Sequence, residues 1–147
     1  MIRTFQFIAV LSAALFTGAA IYINVAEHPA RMECGTALAA TVFGPSHKRA
    51  ATMQVILALM ATSTGLVSWW MLSKVMWLVG AVVMFAVIPF TLVAIMPTNR
   101  QLLNPGLDRS SDSTRRLLQM LQKWGRLHAV RSVLSLAASC IFLSLMI

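Results

Sequence analysis

Residues 75–99 read VMWLVGAVVMFAVIPFTLVAIMPTN and contain no charged side chain. A spanning helix needs about 20 predominantly apolar residues, so this stretch is long enough to cross a bilayer. Two more charge-free stretches of similar length precede it, at residues 4–26 and 50–73. Together the three stretches predict an integral membrane protein.

The composition of the whole chain agrees with this prediction. Of its 147 residues, 59% are hydrophobic and 11% are charged, whereas a soluble domain carries roughly 25% charged residues. A fourth span is less obvious, because only residues 132–147 follow Arg131. At about 1.5 Å each they are too few for a hydrocarbon core about 30 Å thick. This span is therefore predicted to begin near Leu127.

We predict an all-α fold, a four-helix transmembrane bundle forming a single membrane domain over residues 1–147. Its spans are expected at about residues 4–26, 50–73, 75–96 and 127–147. Leu117, Leu121 and Trp124 recur at helical spacing, which predicts an amphipathic helix at about 114–126 running into the last span. Pro89 is expected to kink the third span, and Thr91 could hydrogen-bond a freed carbonyl.

Basic residues are distributed unevenly between the predicted loops. Arg3 and Lys74 fall on one side of the membrane. Nine fall on the other side: Arg31, Lys48, Arg49, Arg100, Arg109, Arg115, Arg116, Lys123 and Arg126. Because cytoplasmic loops carry an excess of Lys and Arg, both termini are expected on the non-cytoplasmic side, in a bacterial inner membrane. This rule and anionic headgroups explain the net charge of +8, so no nucleic-acid partner is expected.

Two polar triplets with the same spacing lie at the predicted cytoplasmic ends of the first and last spans. They are Asn24-x-x-x-His28-x-x-Arg31 and Trp124-x-x-x-His128-x-x-Arg131. Spacing of i, i+4 and i+7 allows the members of a triplet to share one face of a helix. Polar side chains are costly at the end of an apolar span, so this placement indicates a site at the membrane surface.

Four motifs in the chain carry a resemblance to a known family. They are Gly18-x-x-x-Tyr22-x-Asn24-x-x-Glu27-His28-Pro29, Pro89-Phe90-Thr91, Met96-Pro97-Thr98-Asn99-Arg100 and Trp124-x-x-x-His128-x-x-Arg131. In this combination and order the chain resembles the anthrone oxygenase family of small four-helix membrane proteins. The resemblance implies a cofactor-independent oxygenase, by analogy with fungal members that act as monooxygenases converting anthrones to anthraquinones in polyketide pathways.

The chemistry that the resemblance implies can be matched to residue types. Oxygenation of an anthrone without metal or flavin requires removal of a proton from an acidified C–H group, so that the carbanion can pass an electron to dioxygen. Histidine is the usual base near neutral pH, arginine stabilises an enolate or phenolate, and an aromatic ring stacks on a flat substrate. The candidate catalytic residues are His128, Arg131, His28 and Asn24, and the candidate substrate-binding residues are Trp124, Asn99, Arg31 and Tyr22.

The expected partners are a small apolar aromatic substrate, dioxygen and the lipid bilayer, and a homo-oligomer is left open. The sequence contains no phosphate-binding loop, G-x-S-x-G elbow or dinucleotide fingerprint, so no cofactor is predicted. Cys34 and Cys140 are too far apart along the predicted spans for a disulfide.

Several alternatives remain at this point. His28, His128 and Glu27 could form a two-histidine, one-carboxylate site for iron or copper in a membrane oxidase. The chain could instead be a non-enzymatic accessory subunit of a membrane complex. Structural roles are also open: Trp124 as an interfacial belt residue, His28 as the end of the first helix, and Glu27 as an ion-pair partner of Arg31. The turn-like stretch Gly44-Pro45-Ser46-His47-Lys48 suggests a solvated His47.

Overall fold

The computed structural model describes residues 1–104, 106 and 114–147, and every regular element in these residues is helical. In chain order they are α1 (Ile2–Tyr22), a first π-turn (Ile23–Glu27), α2 (His28–Glu33), α3 (Thr36–Leu72), α4 (Val75–Phe90), a second π-turn (Thr91–Ile95), α5 (Met96–Leu102) and α6 (Thr114–Ser144). Each π-turn continues the helix on either side of it.

Four helical segments are long and apolar enough to cross a membrane, judged by length and composition. They are Ile2–Glu33, Thr36–Leu72, Val75–Leu102 and Thr114–Ser144. The all-α fold with four membrane-spanning helices is thereby confirmed. The side of the membrane on which the termini lie stays a prediction.

The four segments pack as a bundle. Helix α1 contacts α3 and α6, and α4 contacts the same two helices, so α1 and α4 lie diagonally opposite each other. One apolar core fills the end of the bundle near the termini, with Phe16, Trp77 and Phe142 among its largest buried side chains. Phe142 fits there because Gly65 and Gly80 face it without side chains.

A second apolar core lies at the opposite end of the bundle and includes Phe43, Leu117 and Trp124. Phe43 directly precedes the stretch Gly44-Pro45-Ser46-His47-Lys48, which the sequence suggested to be a turn. That interpretation was wrong, because α3 runs through Gly44-Pro45 without interruption. Ala39, Ala40 and Phe43 recur at helical spacing and are fully buried, so packing against neighbouring helices outweighs the local preference for a turn.

The two π-turns have the same relation to a following proline. Each ends two residues before it, at Glu27 ahead of Pro29 and at Ile95 ahead of Pro97. In a regular helix a proline ring clashes with the carbonyl group four residues earlier, which here belongs to Val25 or Val93. Both carbonyls lie in the middle of a π-turn, whose wider backbone makes room for the ring. The first helix therefore passes through His28 and ends at Glu33, contrary to the alternative that His28 ends it.

The expected role of Thr91 can be compared directly with the structure. Its hydroxyl donates a hydrogen bond of 2.7 Å to the carbonyl oxygen of Val87. This contact lies where α4 changes into the second π-turn, just after Pro89. The Val87 carbonyl also accepts from the backbone N–H of Thr91, whereas the carbonyl that loses its donor at Pro89 is that of Phe85. The hydroxyl of Thr91 therefore bonds a carbonyl near the proline, but not the one that the proline frees.

Candidate functional site

His128 on α6 lies at the centre of a buried polar cluster and is 2% exposed. Its Nε2 atom lies 2.9 Å from the NH2 group of Arg131, and its Nδ1 atom lies 2.6 Å from Oδ1 of Asn24. A guanidinium group can only donate, so Nε2 must accept and Nδ1 must carry the proton. The network thus assigns a neutral imidazole whose lone pair is on Nε2.

Asn24, in the first π-turn, fixes this tautomer. Its amide nitrogen donates to the carbonyl oxygen of Gly125 at 3.1 Å, so the amide atom next to His128 is the oxygen. That oxygen accepts from His128 and also from the hydroxyl of Ser132 at 2.8 Å. Because three groups on α6 define the orientation of one amide, Asn24 can present only an acceptor to Nδ1 of His128.

Arg131 connects His128 to α3. Its guanidinium donates to Oε1 of Gln54 on α3 and lies 5.4 Å above the ring of Phe16 on α1. Arg131 is 8% exposed, and among the described residues no carboxylate pairs with it. The site therefore holds a buried cation whose charge is balanced only by neutral hydrogen-bond partners.

Trp124 supplies the aromatic surface of the cluster. Its ring stacks on His128 at 4.8 Å between centroids, contacts His28 at 5.2 Å and meets the edge of Phe43 at 5.1 Å. Its indole N–H donates to Oδ1 of Asn99 at 2.8 Å. At 3% exposure Trp124 is part of the protein interior, so the interpretation as an interfacial belt residue was wrong.

Arg31 forms a second polar group next to this cluster. It pairs with Glu27 and donates to the hydroxyl of Ser46, which itself donates to the Glu27 carboxylate. The expected ion pair between Glu27 and Arg31 is therefore present. The guanidinium also lies 5.9 Å from the ring of Phe43, so Arg31 reaches the aromatic part of the site with its charge already paired.

Two cavities adjoin the cluster. The smaller has a volume of about 20 Å³ and is bounded by His128, Trp124 and Arg31 among others. The larger has a volume of about 120 Å³, lies between α3 and the second π-turn, and is lined mainly by apolar side chains. His47, Gln54 and Arg131 border both cavities, so the polar cluster separates them.

The structure places the predicted site residues unequally. Asn24, Asn99, Trp124, His128 and Arg131 come together through direct hydrogen bonds or ring contacts. His28 touches the opposite face of this group but borders neither cavity. Tyr22 lies outside it, with 60% of its surface exposed on the flank of α1.

Sequence reasoning missed two residues that border both cavities. Gln54 is a buried amide within the apolar stretch 50–73, and a polar residue inside a span is itself a signal that could have found it. His47 was expected to be solvated, and this was wrong. Its ring is half-buried and stacks on Phe43 at 5.2 Å, because Pro45 does not end α3.

A comparison with known protein families decides what kind of protein carries this site. The family model described as anthrone oxygenase matches residues 43–141, two thirds of the chain. The chain belongs to the anthrone oxygenase family. No curated protein and no solved structure matches it. The resemblance seen in the sequence is therefore confirmed at the level of the family.

The extent of the match separates the candidate residues into two groups. Asn99, Trp124, His128 and Arg131 lie within residues 43–141, as do Gln54 and His47. Asn24, His28, Arg31 and Tyr22 precede the matched part, so the match to the anthrone oxygenase family does not extend to the first-span motif. Asn24 is connected to the matched part by its hydrogen bond to His128.

The alternative of a metal centre can be tested against side-chain positions. Among residues 1–104, 106 and 114–147, no three His, Cys, Asp or Glu side chains are grouped to hold an ion. The carboxylate of Glu27 is directed to Arg31 and Ser46. His28, His128 and Glu27 therefore do not form the ligand set considered from the sequence. Cys34 and Cys140 are both free.

Proposed function

We propose that this chain is a membrane-embedded, cofactor-independent oxygenase that oxidises an anthrone-like or phenolic aromatic substrate with dioxygen. Membership of the anthrone oxygenase family supports an oxygenase role. The observation that carries the proposal is the neutral His128, whose Nε2 lone pair faces a buried arginine while Asn24 holds its other nitrogen.

His128 acts as the base in this proposal. At rest Arg131 covers its Nε2 atom with an N–H group. A ketone or phenol oxygen that enters the site competes for the guanidinium, which draws it away and exposes the lone pair. Arg131 then stabilises the negative charge that forms on the oxygen when His128 removes the neighbouring proton, and water-poor surroundings strengthen that interaction.

The reaction balances without another reactant. His128 takes one proton from the methylene carbon of the anthrone, and the carbanion transfers electrons to dioxygen and forms a C–O bond. The peroxide receives the proton from His128. Loss of the second methylene proton and cleavage of the O–O bond then yield a carbonyl group and one water. The four electrons that dioxygen takes up come from the two C–H bonds, which are replaced by the C=O bond.

Access from the membrane is part of the proposal. The larger cavity is bounded by Val55 on α3 and Leu92 in the second π-turn, and both side chains are more than half exposed on the outer surface of the bundle. An apolar aromatic molecule dissolved in the bilayer reaches Arg131 through this opening. The site then lies at the cytoplasmic side of a bacterial inner membrane, where the basic loops are expected.

The proposal is tested by oxygen uptake and anthraquinone formation from anthrone by the purified protein, with and without a strong chelator. We expect turnover that the chelator leaves unchanged and that His128→Gln removes. A sample without protein measures autoxidation. Thr62→Val, a buried change on α3 outside both cavities, is the matched control for folding and should turn over as the wild type does. Rates equal to autoxidation for the wild type, or full inhibition by the chelator, contradict the proposal. Elemental analysis then distinguishes a metal-dependent oxidase from a non-enzymatic subunit.

A further inference from the structure

The larger cavity is apolar over most of its surface but carries three hydrogen-bond donors without acceptors. Gln54, Asn99 and Arg131 all line it. Within the described residues, Nε2 of Gln54, Nδ2 of Asn99 and Nε of Arg131 are buried and have no hydrogen-bond partner. An unpaired buried donor lowers stability, so three around one cavity indicate that something absent from the chain itself completes them.

The identity of these groups as donors follows from their other contacts. Oε1 of Gln54 accepts from Arg131, and Oδ1 of Asn99 accepts from the indole N–H of Trp124. Neither arginine nor indole can accept, so the amides cannot be turned round without leaving two donors facing each other. The unpaired atom of each amide is therefore nitrogen, and the ligand must offer acceptors.

The charge around the cavity indicates the chemical class of the ligand more closely. Arg131 has no carboxylate partner among the described residues, and the carboxylate of Glu27 is engaged by Arg31. A buried cation without a counter-ion favours an anionic or strongly polarised oxygen. Apart from His47 and Thr91, the remaining lining is apolar and includes Phe16, Ala58 and Val87.

The cavity is larger than a single water requires. One water needs only about 10–15 Å³, and the cavity offers about 120 Å³, so it has room for a larger ligand. Of the other buried polar atoms without partners among the described residues, the hydroxyl of Thr62 and the indole N–H of Trp77 do not border this cavity. Nε of Arg31 borders the smaller cavity, which Gln54 and Arg131 also line, but that cavity offers only about 20 Å³. Only the larger cavity combines three such donors with room for more than one water.

We propose that Gln54, Asn99 and Arg131 form a donor set that binds the oxygen-bearing edge of a flat aromatic ketone or phenol, with the apolar rings in the larger cavity. The inference rests on the proposed oxygenase function and deepens it by naming the substrate feature recognised: two or more oxygens along one edge of the ring system. An aromatic hydrocarbon of the same shape without oxygens leaves the donors unpaired and binds weakly.

Binding can be measured without turnover. The probes are 1,8-dihydroxyanthraquinone, whose oxygens lie along one edge, and anthracene, which has the same three rings and no oxygen. Both are titrated into the full-length protein in lipid nanodiscs. Asn99→Asp keeps the acceptor for Trp124 and replaces only the unpaired donor by oxygen. Gln54→Glu keeps the acceptor for Arg131, but it removes the donor and also gives Arg131 a carboxylate partner.

We expect the dihydroxyanthraquinone Kd to rise about tenfold or more in each variant, because a donor to a charged or polarised oxygen is replaced by an acceptor. The weak binding of anthracene should not change. A buried Glu at position 54 could take up a proton and still donate a hydrogen bond. Gln54→Met is therefore tested as well, because methionine has no donor in any protonation state. Thr62→Val carries the matched loss of a buried polar group and should bind both probes as the wild type does.

The outcomes separate this inference from the function on which it rests. If the protein binds the quinone through these donors but does not oxidise anthrone, the donor set is supported and the proposed oxygenase function is contradicted. If the protein oxidises anthrone but Asn99→Asp and Gln54→Met leave the Kd for the quinone unchanged, the donor set is contradicted and the proposed oxygenase function stands. Equal affinity of the wild type for anthracene and the quinone, or no binding of the quinone, also overturns it.

Discussion

Gly125 on α6 lies directly against the ring of His28, so that a Cβ atom added to the glycine would come within 2.8 Å of Nε2. The same residue accepts the hydrogen bond from Asn24 through its carbonyl oxygen. The close approach of α6 to the first helix therefore brings Asn24 within reach of Nδ1 of His128. Gly125 is therefore a contact point between two helices.

Gly125→Ala is expected to separate α6 from the first helix or to displace His28. Overpacking of this kind lowers the free energy of unfolding by about 1–3 kcal/mol. Thermal unfolding of the protein in detergent measures the change. Gly18→Ala is the matched control, because a Cβ there meets nothing within 4 Å and alanine favours a helix by about 1 kcal/mol over glycine. Equal or higher stability of Gly125→Ala contradicts the assigned contact.

Asn24→Leu is expected to release the tautomer of His128. Without the acceptor on Nδ1, the imidazole no longer has a fixed donor on one side and a fixed lone pair on the other. General-base catalysis contributes typically about 10²–10⁴-fold, so we expect kcat for anthrone oxidation to fall by about tenfold or more. Nitrogen NMR of labelled histidine reports the tautomer directly. A wild-type spectrum that shows the proton on Nε2 of His128 contradicts this role for Asn24.

Glu27→Gln is expected to destabilise the protein because it leaves Arg31 buried without a carboxylate. We expect a loss of about 1–3 kcal/mol, which is typical when one partner of a buried hydrogen-bonded pair is removed. The double variant Glu27→Gln/Arg31→Met should recover part of this loss, since it leaves no buried charge without its partner. Additive effects in this double-mutant cycle would show that the pair does not couple.

Leu92→Trp is expected to obstruct the route from the bilayer to the larger cavity. The residue is exposed at the mouth and lies away from His128, so KM for anthrone should rise while kcat at saturation stays close to the wild type. Val93→Trp, at the neighbouring exposed position that does not line the cavity, is the control. Equal KM values for both variants would argue for entry from another side.

The sequence predicted some of the residues in the candidate site but not all of them. The spacing of Trp124, His128 and Arg131 predicted a shared helix face, and the structure places all three around the smaller cavity. Gln54 is uncharged and therefore does not interrupt the charge-free stretch 50–73 that predicts a span. Tyr22 was included because it belongs to a motif, although the side chain points away from the cluster and is exposed.

The sequence by itself determined the membrane class, the number of long apolar helices and the family, because these depend on composition, on the length of uncharged stretches and on motifs read in order. The tertiary structure alone decided which polar groups meet. The bond from Asn24 to His128 and the bond from Arg131 to Gln54 each join residues on different helices. Such contacts depend on how helices rotate and how closely they approach, and that is set by glycines, π-turns and packed aromatic rings acting together.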